Sequence, residues 1–176
     1  ILASVFGVEM FVMEDALNTL PTSHPLAGGK DAIRALIGRG VPDLDARQGA
    51  QVFEMGRRFM TIKQQYPKIG RYVHVYHPDT QGPMDICELL WGSSIFYDLV
   101  DEPDLVHSLL KLITETYTRF LHKWQSIVPV MGTYTTHWGA LQKGVIALRD
   151  DSAMNLSPAM FDQFITPVAD SPQYAS

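Results

Sequence analysis

The most constraining feature of this sequence is a long amphipathic segment in its second half. Apolar side chains recur there every three or four residues for roughly six helical turns, as in a helix with one buried face. Asp101-Glu102-Pro103 precedes the segment, and acidic residues with a proline are typical of a helix N-terminus. We therefore expect a helix that Pro129 breaks and whose apolar face is core. The apolar positions are Val106, Leu109, Leu110, Ile113, Tyr117, Phe120, Leu121, Trp124 and Val128.

A second stretch, residues 71–93, has the pattern of a strand followed by a polar loop and a helix. Residues 71–76 are rich in β-branched and aromatic side chains, which favour a pleated strand. The loop 77–82 is polar, and Pro83 stands where the first turn of a helix accepts proline. Together they form half of a βα unit. Because ligands of α/β folds bind in the loops at the carboxyl ends of strands, we expect this loop to belong to any active site.

The remaining segments extend this alternation of strands and helices. Residues 1–12 and 143–148 have the composition of buried strands, and helices are predicted for residues 30–38, for residues 45–65 and from Pro158 onward. Alternating elements favour a parallel α/β architecture, and crossovers of this length are compatible with a barrel. The 176 residues suffice for a single domain with a core. The chain opens on an apolar run and ends in a polar tail, so we interpret it as part of a longer protein, truncated at both ends.

Charge and cysteine content narrow the classes of partner and compartment. The formal net charge is −5 and the pI about 5.6, which indicates neither nucleic acid nor an anionic membrane surface as a partner. The opening apolar run has no basic leader and is too short to span a membrane. Cys87 is the single cysteine, which is typical of a reducing, cytoplasmic setting. We expect it to be packed in the core rather than to act as a nucleophile.

Polar side chains cluster at the ends of three predicted strands. In a barrel these ends meet at one face, and neighbouring carboxylates raise one another's pKa, which suits general acid–base chemistry or the binding of a cationic group. The alternative is structural, because acidic residues are frequent in loops as turn formers and helix caps. Neither HxxxH nor HxH spacing is present, so no metal ligand is predicted. The clustered residues are Glu14 and Asp15, then His77, Asp79 and Gln81, then Arg149, Asp150 and Asp151.

Three segments of the chain resemble the uroporphyrinogen decarboxylase-like superfamily. They read HPDTQGPMDICELLWG, YDLVDEPDLVHSLLKLITETY and LRDDSAMNLSPAMFDQFITP, and the resemblance extends over about residues 12–167. The superfamily includes the haem-pathway decarboxylase and the corrinoid- or coenzyme M-linked methyltransferases and demethylases. The resemblance implies a (β/α)8 TIM barrel, of which this chain would be the first half or slightly more.

The resemblance also implies a role for one residue. The segment VMEDAL, with Pro21 beyond it, is similar to the decarboxylase segment that carries the catalytic aspartate, and Asp15 takes that place. Such a carboxylate would hold the pyrrole N–H groups of the substrate and stabilise positive charge as CO2 leaves. Three features depart from the decarboxylase. The arginine-rich N-terminal motif is absent from these residues, no tyrosine occurs between Gly82 and Tyr97, and residues 77–81 are polar rather than small and apolar.

The sequence thus predicts an enzyme with carboxy-lyase-like chemistry on a tetrapyrrole-type small molecule. Histidine is the expected proton-transfer group because it titrates near neutrality. Two alternatives stay open: a zinc-dependent methyltransferase or demethylase with a corrinoid protein as partner, and a non-catalytic barrel used for binding or assembly. No cofactor is certain, zinc is expected only if its ligands lie in the missing C-terminal half, and homodimerisation is expected from the family alone. The predicted catalytic residues are Asp15, His77, His137 and Asp151, and the predicted substrate-binding residues are Glu14, Asp79, Gln81, Arg149 and Asp150.

Overall fold

The computed structural model of this chain describes residues 1–14, 21–130, 132–137, 139–144 and 146–169, with only the backbone of His137 and Ala169. A short 3₁₀ helix, Asp151–Asn155, precedes α8. The strands are β1 (Met10–Phe11), β2 (Thr22–Ser23), β3 (Tyr134–His137) and β4 (Ala140–Lys143). The helices are α1 (Leu2–Val5), α2 (Gly29–Arg39), α3 (Arg47–Gln65), α4 (Pro67–Tyr72), α5 (Pro83–Trp91), α6 (Ile95–Asp101), α7 (Pro103–Ile127), α8 (Pro158–Phe164) and α9 (Thr166–Ala169).

The predicted (β/α)8 barrel is wrong. A barrel is one closed sheet of tilted strands, whereas the described residues form helices and two small antiparallel pairs, β1–β2 and β3–β4. Within β3–β4, Tyr134 lies opposite Lys143 and His137 lies opposite Ala140. A single parallel bridge, between Gln81 and Arg149, lies outside these strands in the part of the chain that the structure describes.

The three predicted strands fail for a common physical reason. Residues 1–12 begin with a buried helix, α1, and contribute only β1 to a sheet. Residues 71–76 start in the last turn of α4 and then continue without regular structure, and residues 143–148 contribute only Lys143 to β4. Apolar β-branched composition favours a strand only where a neighbouring backbone completes the ladder of hydrogen bonds. Without that neighbour, composition alone does not make a sheet.

The helices with the clearest sequence signals are confirmed. Helix α7 begins at Pro103, has Asp104 in its first turn and runs for 25 residues. Helix α3 begins at Arg47, two residues after the predicted start, and ends at Gln65 as predicted. Helix α8 begins at Pro158 as predicted, and the Ser157 hydroxyl caps it by accepting a hydrogen bond from the Met160 backbone N–H at 3.3 Å. Each of these signals depends on residues that are close together in the sequence, so it holds even though the predicted sheet does not form.

The core surrounds α7, and every apolar position predicted for its inner face is buried. Phe53 of α3 meets Phe120 of α7 with ring centroids 5.1 Å apart. Helices α2, α5 and α6 also pack on α7, so this helix organises the fold. The C-terminal part of α7, from Thr118 onward, borders the candidate site.

Candidate functional site

Asp150 holds the start of α5 against the segment that follows β4. Its carboxylate accepts hydrogen bonds from the backbone N–H groups of Met84, at 3.1 Å, and Asp85, at 2.8 Å. These donors lie in the first turn of α5, where backbone N–H groups have no partner within the helix. Burial raises the pKa of Asp150 to about 6, although the two hydrogen bonds oppose the rise. Asp150 therefore caps α5 from a distant part of the chain.

The cap is reciprocal, because residues of α5 in turn bind the 3₁₀ helix. The buried Asp85 accepts a hydrogen bond from the Ser152 backbone N–H at 2.7 Å. Glu88 accepts a second one from the Ser152 hydroxyl at 2.6 Å. Gly82 is required at this junction, because a Cβ there would lie 2.3 Å from the Arg149 carbonyl oxygen. The two segments are thus locked together by polar side chains.

Arg149 joins two of the predicted polar clusters. Its guanidinium lies 2.9 Å from the Asp151 carboxylate and 3.7 Å from the Asp79 carboxylate. The hydrogen bond that Arg149 donates to Asp151 is the main reason that the pKa of Arg149 is raised. Both carboxylates are exposed, so each ion pair contributes only about 0–1 kcal/mol to stability. This group is a charged surface rather than an enclosed catalytic centre.

A cavity of about 510 Å³ lies next to this group and has a different lining. Its walls are residues 74–77, the end of α7 from Thr118 onward with residues 128–130 that follow it, and the β3–β4 hairpin. We call it the histidine cavity, because His74, His77 and His122 all line it. Trp124 and other apolar side chains supply most of the remaining surface, and no carboxylate side chain is among the described lining residues. The lining suits an aromatic or anionic ligand.

His77 is the buried histidine of this cavity. Its side chain is 7% exposed, and its Nδ1 lies 2.9 Å from the Pro78 carbonyl oxygen. A carbonyl only accepts hydrogen bonds, so Nδ1 carries a hydrogen and Nε2 is the basic nitrogen of the neutral ring. The Tyr76 ring packs edge-on against the imidazole, with centroids 6.0 Å apart. These contacts fix the ring orientation before any ligand binds.

A buried hydrogen bond anchors the loop that carries His77. The Thr80 hydroxyl bonds to the Tyr117 hydroxyl of α7, and both residues are almost fully buried. Burial raises the pKa of Tyr117 to about 12, so this phenol is neutral at physiological pH. The loop 77–82 is therefore tied to α7 on one side and to Arg149 by the bridge at Gln81 on the other.

The structure brings together two of the three predicted clusters. Asp79, Gln81, Arg149, Asp150 and Asp151 converge, whereas Glu14 is exposed beyond β1. Asp15 lies outside the described residues. His137 is in β3, described only by its backbone.

Sequence reasoning missed His74 and His122 as cavity residues. A usable signal was present on α7, where Thr118, Leu121, His122 and Gln125 follow one another at helical spacing beside the apolar face. His74 lies in the segment that we expected to be a strand. Nothing local distinguishes it from a surface residue.

Cys87 is fully buried, which confirms that it is packed in the core. Burial raises the pKa of its thiol well above the usual value, so the reactive thiolate is disfavoured. Among the described residues, no group of three or more histidine, cysteine, aspartate or glutamate side chains is arranged to hold a metal ion.

No family model matches the chain, and no curated protein matches it significantly. In the part of the chain that the structure describes, no helix combines the length and the apolar character needed to cross a membrane.

Proposed function

We propose that this protein is a carboxy-lyase-type enzyme that binds a pyrrole-containing acid in the histidine cavity. The observation that carries the proposal is His77, a buried histidine in the cavity wall whose ring is held by the Pro78 carbonyl. The substrate class comes from the resemblance to the uroporphyrinogen decarboxylase-like superfamily. The single, buried Cys87 is consistent with the cytoplasm as the proposed compartment.

The lining of the cavity fits such a substrate. A volume of about 510 Å³ is in the range of pockets for small molecules. A complete tetrapyrrole exceeds it, so we propose that part of the macrocycle enters. Trp124 and the neighbouring apolar surface would contact pyrrole rings, and the imidazole N–H groups of His74 and His122 would donate hydrogen bonds to acidic side chains of the ligand.

The proposed role of His77 follows from the proton balance of decarboxylation. Loss of CO2 breaks a carbon–carbon bond and leaves its electron pair on the substrate, which must then take up one proton. Protonated His77 would donate that proton and then recover one, which is the role of a histidine general acid. Asp15 enters the proposal through the resemblance alone, as the carboxylate that would hold pyrrole N–H groups.

The test uses uroporphyrinogen for turnover and uroporphyrin for binding, with the full-length protein. We expect CO2 release by the wild type, and we expect His77→Gln to lower kcat by about 10²–10⁴-fold, the usual contribution of a general acid. Quenching of tryptophan fluorescence by uroporphyrin reports binding, because Trp124 lines the cavity. The affinity measured in this way should be nearly the same in the variant as in the wild type. The expected result is a loss of kcat with little change in binding.

His122→Gln is the matched control, because His122 is an exposed histidine in the same cavity. We expect this change to raise KM and to leave kcat nearly unchanged. Binding of uroporphyrin without turnover by the wild type would favour a non-catalytic binding protein. About one zinc per chain without porphyrinogen turnover would favour methyl transfer. Failure to bind uroporphyrin would overturn the proposal.

A further inference from the structure

Exposed apolar side chains follow one another along α3, α4 and the segment after them, residues 55–76. Large hydrophobic side chains recur there at helical spacing, and each is more than a third exposed. Contiguous exposed apolar surface on this scale marks an interaction site in a folded protein. We call residues 55–76 the basic apolar patch. Its main apolar members are Met55, Phe59, Ile62, Tyr66, Ile69 and Tyr72.

The patch is a second apolar face of α3, distinct from the face that the core uses. Gly49, Phe53 and Gly56 are the buried residues of α3. Phe53 and Gly56 contact α7. Met55, Phe59 and Ile62 follow the spacing of a neighbouring stripe, which the described residues leave open. The core uses only one apolar stripe of α3, so the second stripe is not needed for the packing of the core.

The charge of the patch is opposite to that of the rest of the chain. Residues 55–78 contain no aspartate or glutamate, and they carry five of the cationic side chains: Arg57, Arg58, Lys63, Lys68 and Arg71. With a net charge of −5 for the whole chain, these five positive charges leave −10 on the remainder. Glu54, one residue before the patch, pairs with both Arg57 and Arg58. Residues 54–78 therefore carry five cations and one carboxylate, a net charge of +4. The net charge of the whole chain conceals this positive region.

We propose that the basic apolar patch docks the protein onto an anionic lipid surface. A helix with aliphatic and aromatic residues on one side and lysine or arginine beside them lies in the interface of such a membrane. Tyr66, Tyr72 and Tyr76 have the amphipathic rings that favour the headgroup region. Ile62 and Ile69 distinguish this patch from a nucleic-acid site, which uses cations and aromatic rings but has no need of aliphatic side chains.

The test is co-sedimentation of the full-length protein with vesicles of phosphatidylserine and phosphatidylcholine, or of phosphatidylcholine alone. We expect binding to the anionic vesicles only, and weaker binding as the salt concentration rises. Replacement of Arg58, Lys68 and Arg71 by glutamine should weaken binding about 100-fold, since each cation near an anionic surface contributes about five-fold. Tyr66→Ser with Tyr72→Ser should weaken it several-fold, because both rings are well exposed and their removal spares the core.

Matched controls carry the same changes elsewhere on the surface. Replacement of Arg39, Lys111 and Arg119 by glutamine changes the net charge by the same amount. Because these cations lie outside the patch and act only through long-range electrostatics, vesicle binding should stay within about two-fold of that of the wild type. Tyr97→Ser should have no effect. Equal losses for the two charge triples, or equal binding to neutral vesicles, would overturn the proposal. The proposal would also be overturned if the protein did not bind anionic vesicles and instead formed a stable dimer or bound polyuridylate.

Discussion

Asp150 shows how one carboxylate can stabilise a helix while its own ionisation is penalised. It accepts hydrogen bonds from the first-turn N–H groups of Met84 and Asp85, which favours its charged form. Burial acts in the opposite direction and is the larger effect, so the pKa of Asp150 rises to about 6. The residue is therefore a structural cap whose contribution to stability depends on pH.

Asp150 makes the stability of the protein fall as pH rises from about 4 to about 6. The folded state has the higher pKa, so it binds more protons than the unfolded state in this window, and the favourable contribution disappears above pH 6. Relative to Asp150→Asn, the free energy of unfolding of the wild type should fall by about 2 kcal/mol between pH 4.5 and 7.5. Urea unfolding across this range measures it.

Asp151→Asn provides the comparison, because Asp151 is an exposed neighbour that binds Arg149 rather than a helix terminus. Its pH profile should follow that of the wild type closely. If the free energies of unfolding of the wild type and Asp150→Asn differed by the same amount at every pH in this range, burial of Asp150 would not govern its ionisation.

At the scale of elements, the approach of α3 to α7 depends on glycine. Gly56 is buried, and a Cβ at this position would lie 2.8 Å from Cζ3 of Trp124 and 3.2 Å from Cγ2 of Val128. Glycine normally weakens a helix interior relative to alanine. Here close packing of α3 against α7 offsets the lost helix propensity, and a larger side chain at this position would push the two helices apart.

Gly56→Ala should lower the free energy of unfolding by about 1–3 kcal/mol, because overpacking against the buried Trp124 ring outweighs the gain in helix propensity. Chemical denaturation of the variant measures the change. Gly38→Ala in α2 is the control: a Cβ there meets nothing within 4 Å, so propensity alone should raise stability by up to about 1 kcal/mol. If both variants are stabilised, the close approach of α3 and α7 is not tight.

For the molecule as a whole, the helical core and the β3–β4 hairpin differ in how firmly they are held. Helix α7 has buried residues along nearly its entire length. In the hairpin, Thr135 is buried, whereas Tyr134 and Leu141 are 59% and 70% exposed. The hairpin also forms one wall of the histidine cavity, so it is the part of the molecule best placed to respond to a ligand.

Hydrogen exchange should therefore detect two levels of stability. Amides of β3 and β4 should exchange through local opening, whereas those in the middle of α7 should require global unfolding. Under the proposed function, saturating uroporphyrin should slow exchange in the hairpin more than in α2, because a ligand of the cavity stabilises only states in which the cavity is formed. Equal protection of α7 and the hairpin would contradict this division.

Much of the helical framework was predictable, and the reason is visible in particular residues. The 3.6-residue period of α7, the proline at its start and the Ser157 cap of α8 are encoded by neighbours in sequence. The candidate site was predictable in part: Asp79, Arg149 and Asp151 come together as expected. The histidine cavity was not, because its walls come from three segments far apart in the chain.

The sequence by itself determined which faces of the helices are apolar, where α3, α7 and α8 begin or end, and that residues 55–78 carry only positive charge. Tertiary structure decided whether apolar segments become strands, since a strand needs a partner backbone that composition does not specify. It also decided what the carboxylates do. Asp150 faces two unpaired N–H groups of α5 and caps that helix, whereas Asp151, one residue later, pairs with Arg149 at the surface.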